Sequence, residues 1–77
     1  MKVQLESTTK IVFLEVDGLC VPARVWEGHT EAGIPCHAFI TRIAVANGLD
    51  STEFERELQQ CRAPSAAVDA IPVRMIL

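Results

Sequence analysis

Three features of the 77-residue chain predict an α+β fold, an antiparallel β-sheet of four or five strands with one α-helix packed on a face. Runs rich in β-branched and aromatic residues, typical of strands, recur through the first 45 positions. Asp17-Gly18 separates two of these runs, and Asp-Gly between apolar runs marks a two-residue hairpin, because both central residues of the favoured turn take positive φ. A single later stretch, Asp50 to Arg62, carries helical spacing, and an apolar run closes the chain. The order reads β-β-β-β-α-β, and its simplest packing lays the helix across one face of the sheet.

The elements follow in order. Val3 and Leu5 alternate with Lys2, Gln4 and Glu6, which predicts a short first strand. Ser7-Thr8-Thr9 is polar and reads as a turn. Lys10 to Val16 is the second strand, with Val12, Leu14 and Val16 on one face and Ile11, Phe13 and Glu15 on the other. Leu19 to Glu27 is the third. It places Leu19, Val21, Ala23 and Val25 on one face, and Cys20, Pro22, Arg24 and Trp26 on the other. Pro22 has no N–H to donate, so that stretch belongs at a sheet edge or a bulge.

The polar stretch Gly28 to Gly33 reads as a loop. Ile34 to Val45 then reads as a long strand with Ile34, Cys36, Ala38, Ile40 and Ala44 on one face and Phe39, Ile43 and Val45 on the other. A strand apolar on both faces is expected to be buried on both, covered by the helix or by another protomer. Asn47-Gly48 breaks it. Asp50 is placed to cap the helix, with Glu53 as its capping-box partner, and Phe54, Leu58 and Cys61 form its apolar stripe. Pro64 ends the helix, Ser65 to Asp69 connects, and Ala70 to Leu77 is a last strand that pairs within the chain or across a dimer interface.

Composition bounds the function. The 77 residues, 49% hydrophobic and 22% charged, make one small domain, residues 1–77. A chain this short buries only about 60% of the surface its unfolded form exposes. Net charge is −3, and the seven Lys and Arg residues are scattered, which argues against nucleic acid as a partner. No apolar run reaches the roughly 20 residues that span a bilayer, and MKVQLESTTK contains no signal-peptide core. Three cysteines without a CxxC pair suit reduced thiols, so a cytoplasmic location is expected, with no cofactor.

Several residues invite chemistry. Cys36-His37 suggests a nucleophile and base, but neighbours on a strand point to opposite faces, and no orienting carboxylate or oxyanion hole accompanies them. Cys20, His29, Cys36, His37 and Cys61 lack the closely spaced pairs of a structural zinc site. The Gly28–Gly33 loop offers backbone donors with His29 and Thr30, a possible mouth for a small ligand, although Glu27 and Glu31 would repel phosphate. Arg24 and Trp26 share a strand face opposite the core, and both residue types are enriched at interface hot spots.

VPARVWEGHTEAGIPCHAFITRIAV, with the FERELQ helix and the IPVRMIL ending, resembles small proteins encoded by bacteriophages and prophages. That resemblance implies a small bacterial or phage protein that works by binding, in the manner of anti-CRISPR inhibitors. The expected function is therefore a non-enzymatic protein-binding accessory module, with Arg24, Trp26, His29, Thr30 and Glu31 as its binding residues and a homodimer as its state. The alternative is a small-molecule binder using the Gly28–Gly33 loop, and a Cys/His-dependent or zinc enzyme stands last.

Overall fold

The computed structural model covers residues 1–77 and is organised by two long strands. β1 runs Val3–Val16 and β2 runs Leu19–Thr30. β3 (Pro35–Ile40), α1 (Thr52–Leu58), α2 (Ala66–Asp69) and β4 (Arg74–Ile76) follow. The sheet order is β3-β2-β1-β4. β1 pairs with β2 and β2 with β3 in antiparallel fashion, whereas β4 lies parallel to β1, with Leu14 opposite Met75. The sheet is therefore mixed rather than antiparallel, and helix is the minor component. The parallel pair arises because the chain leaves the β3 edge, crosses through α1 and α2, and returns along the far edge in the direction of β1.

The Asp17-Gly18 turn forms as its chemistry requires, with φ of 51° and 78° at the two residues. The two strands expected on either side of Ser7-Thr8-Thr9 are one. Ser7 pairs with Trp26 and Ile11 with Arg24, so β1 advances four residues while β2 advances two. The surplus is a bulge, which bends the strand and lets it curl. Bulging also turns Thr8 inward. Its hydroxyl is fully buried, donates to the Val25 carbonyl at 2.6 Å and accepts from the Lys10 N–H at 3.2 Å. A polar run that reads as a turn is in fact a strand interior whose hydroxyl has found its own partners.

The core is small. Val12, Leu14, Ala23, Val25 and Val68 are buried, with Ile71 and Met75 packed against them. The β1 and β2 residues of this group lie on the faces their alternation predicts, and α2 supplies Val68 from above. The stretch expected to connect, Ser65 to Asp69, carries this helix. Its start is marked by Ser65, whose hydroxyl accepts from the Val68 N–H, a capping bond.

Two further expectations are corrected. β3 stops at Ile40 and is an edge strand with Pro35, His37 and Phe39 exposed, so it is not buried on both faces. Residues 41–45 leave the sheet. The helix ends at Leu58 rather than Arg62 and buries none of its residues. Asp50 does accept from the Thr52 N–H at 2.9 Å, but Ser51 is the N-cap and Glu53 pairs with Arg56 instead of closing a capping box.

Pro22 sits where its missing N–H predicts. It pairs with Phe13 on one side, while β3 pairing begins only at Arg24, leaving the other edge of Leu19 to Ala23 open. Gly28 has a different constraint, since a Cβ there would collide with the Gln4 carbonyl oxygen where β1 crosses closely. Gly28→Ala is therefore expected to destabilise the fold by about 1–3 kcal/mol, the usual range for overpacking against an unyielding neighbour. Urea unfolding checks this, and an unchanged midpoint would contradict the close crossing.

Candidate functional site

β2 alternation places Arg24 and Trp26 together on the sheet face opposite Ala23 and Val25. The cross-strand neighbours of Trp26 are Ser7 and Ala38, both small, and those of Arg24 are Ile11 and Ile40. Small neighbours leave the indole half-buried with space around it. Three adjoining cavities meet there, and Ser7 and Trp26 line all of them.

The first cavity, about 370 Å³, lies between the sheet and the strand exit, lined by Ile11, Arg24, Ile40, Arg42 and Ile43. The second, about 620 Å³, is polar and bounded by Glu6, Glu57, Gln60 and Arg62. The third, about 160 Å³, lies under α1 beside Phe54 and Leu58. Together they form an open groove with an apolar floor, Arg24 and Arg42 at one end and Glu57 with the Glu6–Arg62 ion pair at the other. Arg24 is partly committed, because its guanidinium donates to the Thr8 carbonyl at 2.7 Å. Arg42 forms no ion pair.

The wall of the groove is held by Arg62. Its backbone bridges the β1 bulge, with the Thr9 N–H donating to the Arg62 carbonyl at 3.0 Å and the Arg62 N–H to the Ser7 carbonyl at 3.2 Å. Its side chain reaches Glu6 at 3.3 Å and Glu27 at 3.2 Å. Glu27, nearly buried on the core face of β2, also accepts from the Ser65 N–H at 2.9 Å. The Ser65 hydrogen bonds and the Arg62 charge hold the Glu27 carboxyl below its ordinary value of 4.5, against the opposing effect of burial.

The five expected binding residues do not form one site. Arg24 and Trp26 line the groove. His29, Thr30 and Glu31 lie at the β2–β3 tip, and Glu31 is five residues from Trp26, about 16 Å along an extended strand. Gly28, His29 and Thr30 belong to β2, so the loop shrinks to a hairpin turn with Gly33 at φ 85°. The Thr30 N–H donates to the Ile34 carbonyl, its hydroxyl accepts from the Ile34 N–H, and the Glu31 N–H donates to Lys2.

Ser7, Arg42 and Ile43 were missed as neighbours of Trp26. The bulge brings in Ser7 and the departure of the chain from β3 brings in the other two, and neither leaves a periodic trace. Cys36 and His37 pair with Gly28 and Glu27 respectively and point to opposite faces. The three cysteines are unpaired, and no group of three or more His, Cys, Asp or Glu side chains converges. No helix is long and apolar enough to cross a membrane. Comparison with protein-family models, curated proteins and solved structures finds no match.

Because the Glu27 value is lowered on folding, the unfolded chain takes up this proton first. The stabilisation it brings is present above about 4.5 and is lost as pH falls through the folded value. The expected result is a wild-type Tm that drops across that acid range. Glu27→Gln should have a lower Tm at neutral pH and a shallower acid drop. Parallel acid profiles of the two proteins would refute the tie.

Proposed function

We propose that the protein is a non-enzymatic binding module that engages another protein through the Trp26 groove, and that it does so as a self-associated chain. The observation that carries this reading is the position of Trp26. A half-buried tryptophan forms a wall shared by three adjoining cavities, beside Arg24 and the unpaired Arg42. Tryptophan and arginine supply large contact area and directional donors, and they dominate interface energetics where water is excluded around them. The apolar floor and the charged side chains at both ends suit a peptide segment that brings an apolar side chain between polar flanks. The resemblance to phage-encoded proteins makes a host defence protein the first class of partner to test.

The small-molecule alternative draws less support, because Gly28 to Thr30 belong to β2 and the remaining turn is closed by its own hydrogen bonds.

Trp26→Ala is expected to weaken capture of the partner by about 2 kcal/mol or more, roughly 30-fold, as removal of a hot-spot tryptophan does. His29→Ala, at the far tip, should leave capture unchanged. Affinity measured by titration with the captured protein checks both, with far-UV circular dichroism confirming that each variant is folded. A folded Trp26→Ala protein that binds as well as wild type would overturn the reading.

A further inference from the structure

Of the five arginines in this chain, three are neutralised by its own carboxylates: Arg56 by Glu53, Arg62 by Glu6 and Glu27, and Arg74 by Glu15. The other two, Arg24 and Arg42, form no ion pair, and both line the cavity of about 370 Å³ beside Trp26. Acidic residues outnumber basic ones in the sequence, ten to seven, yet no Asp or Glu lines this cavity. Two positive charges are therefore left unmatched at one end of the groove.

Their surroundings favour an anion. Arg24 is half-buried, with Ile11 and Ile40 as its cross-strand neighbours. The Thr8 carbonyl accepts from its Nη1 at 2.7 Å and so holds the guanidinium in place. A cation partly shielded by apolar side chains loses some solvation by water, so an anion brought to it gains more than it would at an open surface. Arg42 is exposed and lies two residues beyond Ile40, where the chain has left the sheet. A carboxylate suits such a pair, because the guanidinium fork meets its two oxygens with parallel N–H donors. A phosphate carries more charge and is commonly met by a helix N-terminus, and none borders this cavity.

The rest of the lining asks for an apolar group next to the acid. Ile11, Ile40, Ile43 and Leu58 supply the floor, and the Trp26 indole is the wall shared with the neighbouring cavities. At the far end of the groove Glu57 forms no ion pair and repels an acid, which fixes the direction of the occupant. Resting on the reading above that a segment of another protein enters the Trp26 groove, we propose that this segment is acidic. An Asp or Glu carboxylate of the partner sits between Arg24 and Arg42, with an adjoining apolar side chain against Trp26.

The test pans a displayed library of random peptides on the full chain. Enriched peptides are then titrated while the emission of Trp26, the single tryptophan, is followed. The expected peptides share an Asp or Glu beside an apolar residue, shift the Trp26 emission and bind more weakly as salt is raised. Exchanging that acid for Asn or Gln is expected to cost about ten-fold in affinity, as is Arg42→Gln, and the two losses should not add, the mark of a direct pair. Arg42 is exposed and outside the sheet, so its variant is expected to keep the fold, and circular dichroism checks this. Peptides that shift Trp26 emission without an acid, or that bind the folded Arg42→Gln protein undiminished, would overturn the acidic partner and leave the groove reading standing. A library that enriches no peptide able to shift Trp26 emission would overturn both. Acetylglutamate binding as tightly as the peptides would replace the acidic segment with a small free acid.

Discussion

The carboxylate of Glu27 joins the two halves of this protein. Residues 1–40 form the three antiparallel strands, and residues 41–73 wander over them with little apolar attachment: α1 buries nothing and α2 contributes one buried valine. What fixes the crossing segment is polar. Glu27 receives the backbone N–H of Ser65 and the guanidinium of Arg62, so the segment is held at the point where α2 begins. A nearly buried carboxylate is stabilising only when its charge is met by donors, and here both donors come from the segment being held. Val68 can then settle onto Val12 and Val25, and the return path to β4 follows.

The β1 bulge is the complementary device on the other side of Arg62. Two surplus residues disrupt the ladder, freeing the Ser7 carbonyl and the Thr9 N–H to bond the Arg62 backbone as a short parallel bridge. The disruption also frees the Thr8 carbonyl, which accepts from Arg24. One irregularity thus supplies partners to both arginines.

Much of the first half was legible because its signals are local. The Asp17-Gly18 turn, the faces of Lys10–Val16 and Leu19–Val25, and the edge position of Pro22 each follow from one residue's geometry or from alternation. The same alternation, carried two residues further to the end of the expected strand, puts Glu27 on the core face, a place that a charged residue at a strand's end does not announce. Ser7-Thr8-Thr9 misled because hydroxyl residues serve turns and bulges alike, and only the partner strand distinguishes them. The parallel placement of β4 depends on where a thirty-residue excursion returns, which no local pattern records. Ile34–Val45 misled for a related reason. Apolar residues on both faces signal double burial only when neighbours exist to cover them, and the chain leaves the sheet at Ile40. As for the site, Arg24 and Trp26 were legible from their shared face, while the residues that make a groove around them arrive through the bulge and the exit of β3.

Stability and the groove are therefore not separate properties of this chain. Arg62 is both the backbone bridge to the bulge and a wall of the polar cavity, and Ser7 is both a bulge residue and the floor beside Trp26. In a protein with five buried apolar side chains, polar ties of this kind carry a larger share of the tertiary order than they would in a larger domain. A ligand filling the groove would press on the same ties from outside, and by linkage would stabilise the arrangement that binds it. Groove geometry thus depends on the Glu27–Arg62–Ser65 cluster even though Glu27 lies on the opposite face of β2, because the side chain that closes one face is anchored through the other.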